Sequence, residues 1–322
     1  MMKWATLALT LPFAGHALAE GLILQSPIDC DLASDCYIQQ YVDRDPSEGV
    51  TDYQCAGLSY NGHKGTDFAL VSIADIEKGI AVFASADGVV EGTRDGMYDV
   101  EYNADTADAV KNRECGNGVQ INHGQGWVTQ YCHLRKGSVI VKKGQTVAAG
   151  DPIGQVGMSG RAAFPHVHLS VRKNDKVIDP FDPDGTLTCN DPNQETLWAD
   201  APAYRPGGLI SIGFSDQIPT YESIKAGSAA MQNFTPDAKN LVVYGFAFGI
   251  RQNDVLHLSI TGPEGEVIKQ DVEMSKSQAR SFRAIGKKRR WSLWPAGTYK
   301  GSVSLLRDGQ VITQRVTEMT IR

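Results

Sequence analysis

From about Gly57 to Phe181 the apolar positions fall in short runs broken by glycines: Ile80–Ala84, Gly88–Val90, Gly118–Asn122, Trp127–Tyr131, Val139–Val141 and His166–Val171. Short β-branched runs punctuated by Gly predict strands of a mostly antiparallel sheet. His123-Gly124-Gln125-Gly126 predicts a tight turn joining two of them into a hairpin. A second β pattern begins at Gly208–Phe214 and continues through Asn240–Ile250, Asp254–Thr261 and Glu266–Met274, the last entered by a Pro263-Glu264-Gly265 turn. Asp308-Gly309 predicts a hairpin between Ser302–Arg307 and Gln310–Arg315. Strands spaced this regularly over roughly a hundred residues predict a small β-sandwich. Helical periodicity is weak throughout, so the expected fold class is all-β.

Between the two patterns, a cluster of Pro, Asp and Asn marks a linker, placed at residues 191–207. Residues 20–56 are polar and turn-rich and read as an irregular N-terminal segment. Residues 1–19 read as a signal peptide: Lys3 gives a positive start, Trp4 to Ala14 an apolar stretch, and Ala17-Leu18-Ala19 a small-x-small cleavage pattern. Loss of Lys3 takes the formal charge from −6 to −7. That mildly acidic balance disfavours nucleic acid and anionic membranes as partners, and no run is long enough for a membrane span. The expected compartment is therefore the periplasm or the cell exterior. Cys30, Cys36, Cys55, Cys115, Cys132 and Cys189 all follow the proposed cut, an even set that reads as three disulfides. Fifteen connectivities are open. Cys30–Cys36 closes a short loop, Cys115–Cys132 would cross-link the hairpin, and Cys55–Cys189 would then remain. At 322 residues the chain exceeds what one core usually holds, so two domains are expected.

Five residues in the first pattern carry candidate chemistry. His63 and Asp67 stand four apart, His133 ends the Trp127–Tyr131 run, and His166 and His168 flank Val167. On a strand, residues two apart share a face, so His166 and His168 project side by side while Val167, Leu169 and Val171 face the other way. Two imidazoles and a carboxylate suit a catalytic zinc that keeps one position open.

The order His-x-x-x-Asp, a lone His, then His-x-His resembles the lysostaphin-type (LytM-like) zinc endopeptidases, hydrolases of bacterial cell walls. Gly65-Thr66-Asp67-Phe68, Ala86-Asp87-Gly88-Val89-Val90, Val141-Lys142-Lys143-Gly144-Gln145, Ile153-Gly154 and Val171-Arg172-Lys173-Asn174 extend the likeness. The resemblance implies a groove-forming antiparallel β peptidase domain, taken as residues 57–190; the second strand pattern, over 208–322, is expected to form an immunoglobulin-like β-sandwich. The resemblance also implies zinc held by His63, Asp67 and His168, with His133 and His166 as unligated catalytic histidines. The implied reaction is hydrolysis of amide bonds in peptidoglycan stem peptides or cross-bridges by a zinc-bound hydroxide. One imidazole would handle the water's proton and one the developing oxyanion. The sequence departs from the family pattern at Cys132, where a small residue is usual, and at Ala162-Ala163-Phe164, where Gly- or Thr-rich residues are common. Two alternatives remain: a non-catalytic wall-binding module that activates another hydrolase, and an exported peptidase acting on Gly-rich proteins.

Other candidates have plainer readings. His123 reads as a turn residue and His257 as a sheet-face histidine. Asp43-x-Asp45-x-Ser47 lacks the Gly and Glu positions of a calcium loop. Lys287-Lys288-Arg289-Arg290 reads as a solvated charge run, and Trp291 and Trp294 as core aromatics.

Overall fold

The computed structural model describes residues 21–189, 191, 194–290 and 292–322. The proposed signal segment and Trp291 lie outside the described residues. Among the described residues the regular structure is nearly all strand, as the short apolar runs predict. In the first part the strands are Cys36–Gln40 (β1), Thr66–Leu70 (β2), Ala81–Phe83 (β3), Gly88–Arg94 (β4), Asn117–Gly124 (β5), Trp127–Leu134 (β6), Thr146–Val147 (β7), Pro152–Gln155 (β8), His166–Lys173 (β9) and Lys176–Ile178 (β10). A 3-10 turn covers Ile73–Lys78, and a four-residue helix, α1, covers Ala107–Val110. One antiparallel sheet runs β1-β2-β9-β6-β5-β4-β7, with β10 on β9, while β3 and β8 pair separately. The β5–β6 hairpin turns at Gln125 and Gly126, both at positive φ, as the Gly-rich tetrapeptide predicts.

Three differences from the sequence reading concern local order. Residues 36–40, inside the segment read as irregular, form strand β1 and pair with β2. Val139–Val141 makes no strand, because the Val139 N–H goes to the Asp95 carboxylate and the Ile140 N–H to the Ile153 carbonyl. Much of the stretch read as a linker is held down: Leu24 N–H donates to the Leu197 carbonyl at 2.7 Å, Ala199 N–H donates to Leu24, and Trp198 is buried. The disulfides are Cys30–Cys36, Cys55–Cys189 and Cys115–Cys132.

The second part holds Gly208–Ser215 (β11), helix α2 (Tyr221–Ala226), Asn240–Ile250 (β12), Val255–Gly262 (β13), Gly265–Glu273 (β14), Gln278–Lys288 (β15), Gly297–Arg307 (β16) and Gln310–Ile321 (β17). Its two antiparallel sheets, β11-β12-β15 and β14-β13-β16-β17, form the sandwich. Asp308 and Gly309 take the left-handed turn between β16 and β17. Strand β12 is buried along almost its whole length. Leu241, Val243 and Ala247 enter the sandwich core. The alternate residues Tyr244, Phe246 and Phe248 join the core beneath the first sheet, Phe248 with its ring 4.7 Å from Tyr37. The β11-β12-β15 sheet is thus a middle layer with apolar groups on both faces. Among the described residues no helix is long and apolar enough to cross a membrane.

Candidate metal centre

The antiparallel register of the first sheet assembles the site. Asp67 on β2 lies directly opposite His168 on β9, and Cys132 on β6 faces His168 from the other side. Cross-strand neighbours share a face, so Asp67, His166 and His168 emerge together. Val167, Leu169 and Val171 point into the core, all buried as their alternation predicts. His63 reaches the same point from the loop before β2.

His133 needs a different device. Strict alternation after Tyr131, whose side chain is in the core, would send His133 coreward as well. Instead the β5–β6 register is irregular here and His133 adopts φ +65. Its N–H donates to the Cys115 carbonyl at 2.8 Å, across the hairpin that Cys115–Cys132 cross-links. A left-handed histidine is uncommon and is held only where its surroundings over-determine it.

Three donor atoms converge. His168 Nδ1 lies 2.8 Å from Asp67 Oδ1, His63 Nε2 lies 3.2 Å from the same oxygen, and the two nitrogens are 3.1 Å apart. Ligands placed tetrahedrally at zinc distances are about 3.3 Å from one another, so this triangle needs little expansion to hold the ion. The His63 Nδ1–H donates to the Tyr41 carbonyl at 2.7 Å, which aims the Nε2 lone pair at the cluster. Gly65 lets the His168 ring approach: a Cβ there would meet His168 Nε2 at 2.5 Å and the Leu169 carbonyl at 2.6 Å. The donor set therefore fits a divalent cation of zinc's preferences.

Charge at the site is consistent with that fit. Burial opposes ionisation of Asp67, but His63 and His166 beside it, with hydrogen bonds from His168 and His63, hold its carboxyl well below the usual range. Burial also opposes a charged His63, yet the Asp67 carboxylate raises that imidazole above its ordinary value. A cation entering the cluster displaces protons that Asp67 otherwise attracts.

His133 and His166 stand beside the triangle with ring centroids 4.6 Å apart, and His166 Nε2 lies 3.6 Å from Asp67 Oδ1. Burial, then the neighbouring histidines, pushes His133 well below its normal pKa. Burial likewise lowers His166, against the pull of Asp67. Both shifts favour the neutral imidazole. His133 Nδ1–H donates to the Ser159 carbonyl at 2.7 Å and His166 Nδ1–H to the Phe164 carbonyl at 2.8 Å. In each ring the unprotonated Nε2 therefore remains for chemistry. Neither can donate from that atom to an oxyanion before accepting a proton, which constrains the division of labour expected from sequence.

The remaining candidates are brought elsewhere. His123 is engaged by the Asp87 carbonyl and the Thr129 hydroxyl. His257 pairs with Asp271 across β13 and β14. The Asp43 carboxylate accepts backbone N–H groups of Asp45, Thr51 and Gly62, so it serves the loop's own backbone. Trp294 packs on the sandwich core and donates to Ala238. Sequence reasoning missed the carbonyls of Tyr41, Ser159 and Phe164, because backbone acceptors leave no side-chain signature.

Residues 61–180, which contain all five site residues, match peptidase family M23. Over 109 residues the chain is 38% identical to peptidoglycan DD-endopeptidase ShyA of Vibrio cholerae, covering 34% of this chain and 20% of that protein. It is 34% identical over 119 residues to DD-carboxypeptidase/endopeptidase Mpg of Neisseria gonorrhoeae, covering 37% and 22%. These matches span about a fifth of the curated relatives' length. A zinc-containing peptidase from Vibrio cholerae aligns over 45% of this chain and 39% of its own, at 27% identity and TM-score 0.29.

Proposed function

We propose, from the match of residues 61–180 to peptidase family M23, that the chain is an exported zinc endopeptidase cutting amide bonds in peptidoglycan stem peptides or cross-bridges. The observation that carries this reading is the donor triangle of His63, Asp67 and His168 with the imidazoles of His133 and His166 beside it. His63, Asp67 and His168 would hold the zinc, through the three atoms that converge. When bound, zinc supplies a Lewis acid that brings the pKa of a coordinated water to roughly 7. His133 and His166 do the proton work. An Nε2 lone pair accepts the proton of the attacking water as the C–O bond forms. The same Nε2–H then stabilises the oxyanion or passes its proton to the departing amine nitrogen as the C–N bond breaks. The names of the relatives support peptidoglycan as the substrate, and the three disulfides support an oxidising compartment.

The deciding experiment incubates the zinc-loaded chain with purified peptidoglycan and reads released fragments by mass spectrometry, with a Gly-rich protein in parallel. We expect fragments with new peptide termini, lost on chelation and restored by zinc. Cleavage confined to the Gly-rich protein would move the substrate. No cleavage of either by folded, zinc-loaded protein would leave a wall-binding module.

A further inference from the structure

Arg280 stands where the sandwich meets the first domain. Its strand β15 pairs with β12 so that Arg280 lies opposite Phe248, the residue packed on Tyr37 of β1. The preceding carbonyl, of Ala279, accepts a hydrogen bond from Gln39 Nε2 at 3.2 Å. Strand β1 thereby fixes the backbone immediately before Arg280, and pairing with β12 fixes Arg280 itself. From this anchor the guanidinium carbon sits 4.4 Å from the Phe164 ring centroid, and Nη2 donates to the Ala163 carbonyl at 3.4 Å. A cation over an aromatic face is drawn to it electrostatically, and a planar guanidinium also stacks there.

Phe164 in turn holds His166 twice. The two rings stack 4.4 Å apart at an interplanar angle of 24°, and the Phe164 carbonyl takes the His166 Nδ1–H. Any shift of residue 164 changes both the orientation of the imidazole and the contact that selects its tautomer. The first domain secures the chain around this point: Arg161 N–H donates to Glu114, Tyr102 N–H to Ala162 and Leu70 N–H to Pro165. Residues 163 and 164 lie between those anchors, and the sandwich grips them through Arg280.

We propose that Arg280 is a positioning residue for the peptidase site, so that the second domain completes the first by clamping Phe164 and, through it, the imidazole of His166. The proposal rests on reading His166 as a proton-transfer group. It gives the Phe164 ring a role that a smaller side chain could not fill.

The test compares the full-length, zinc-loaded parent with Arg280→Ala, Arg280→Lys and Phe164→Leu. Zinc content, kcat and KM on a soluble cross-linked stem peptide, and the His166 ring nitrogens by 15N NMR are measured. We expect Arg280→Ala to keep its zinc and its KM while kcat falls about tenfold, as a displaced catalytic group costs. The His166 nitrogens should move from one tautomer toward a mixture. Arg280→Lys should recover part of the loss, Phe164→Leu should reproduce it, and Arg280→Ala added to Phe164→Leu should cost little more. Parent-like kcat and an unchanged His166 tautomer in Arg280→Ala and Phe164→Leu would overturn the proposal. If the parent itself cleaves nothing, the peptidase reading falls, and the NMR arm alone decides whether Arg280 positions His166. If Arg280→Ala does not fold, Phe164→Leu, which leaves Arg280 in place, decides in the same way.

Discussion

His63, Asp67 and His168 each present one atom to the cluster, whereas His133 and His166 present theirs to the space beside it. Replacing any of the first three with Ala should lower zinc content and turnover together. His133→Ala and His166→Ala should keep zinc and lose turnover by about 10²-fold or more, the scale of positioned proton-transfer groups. Metal analysis alongside kinetics on all five variants checks this, and zinc loss in His133→Ala would show that the roles are misassigned. Gly65 gives a sharper test because it contributes no donor. Its substitution by Ala drives a methyl against His168 Nε2 and the Leu169 backbone, so we expect zinc affinity to fall about 10-fold or more, measured by competition with a chelator. At this scale the meeting of the five groups was legible in the sequence as an ordered motif, and strand alternation accounts for His166 and His168 sharing a face; the placing of His133 depends on a left-handed kink that alternation does not predict. Gly65 stood in the quoted motif, but its closeness to His168 arises from β2–β9 pairing, which no local pattern encodes.

Among the elements, β6 bears the most constraint, since one strand supplies core, cross-link and kinked histidine in succession at Tyr131, Cys132 and His133. The Cys115–Cys132 bridge spans a sequence separation of 17, and closing a loop of that size stabilises by about 3 kcal/mol. Replacing both cysteines with Ser should lower the thermal midpoint accordingly. Because the His133 N–H is bonded to the Cys115 carbonyl, kcat should fall with it while zinc is retained. Zinc loss in that variant would count against the separation of metal and proton-transfer groups. A second element-scale prediction concerns the exit from β10. Burial pushes the Asp179 carboxyl up to about 7, its Oδ2 has no hydrogen-bond partner, and Arg44 Nη1 stands off at 3.9 Å. The folded state therefore keeps a proton that the unfolded chain, with an Asp pKa near ~3.9, has lost. Stability from this group is present at low pH, declines as pH rises from about 4 to about 7, and levels off above. Asp179→Asn should flatten that decline in denaturant midpoints, by an amount on the order of a few kcal/mol across the window. An identical slope in parent and variant would assign the decline to other groups. Hairpins were legible because Gly124-Gln125-Gly126 and Asp308-Gly309 state their own geometry. Strand β1 was not, because four successive buried residues, Cys36 to Gln39, show neither alternation nor a purely apolar run.

At the scale of the molecule, the two β regions read in sequence as separable share a layer. The clue was present in Leu241–Ile250, an unbroken run where a two-sheet sandwich with one wet face would alternate. Both faces are in fact covered, by the sandwich core on one side and by Tyr37, Leu58 and their neighbours on the other. Arg307 ties the same region further, binding Asp254 and the carbonyls of Pro206 and Gly249. Residues 20–190 keep all five site residues, so a reading from chemistry alone expects that fragment to cleave small peptides unaided. The packing argues otherwise. Removing Tyr244, Phe246 and Phe248 uncovers Tyr37 and its surroundings, and each large apolar side chain returned to water costs about 1.5–3 kcal/mol. A few such losses, at Tyr37, Leu58 and their neighbours, approach the whole stability of an ordinary domain. We therefore expect residues 21–206 expressed alone to be aggregation-prone, with one cooperative unfolding transition for the full chain in calorimetry and none at comparable temperature for the fragment. Two well-separated transitions in the full chain, or a soluble fragment with parent-like peptide turnover, would show that the shared layer is a contact surface and not a common core.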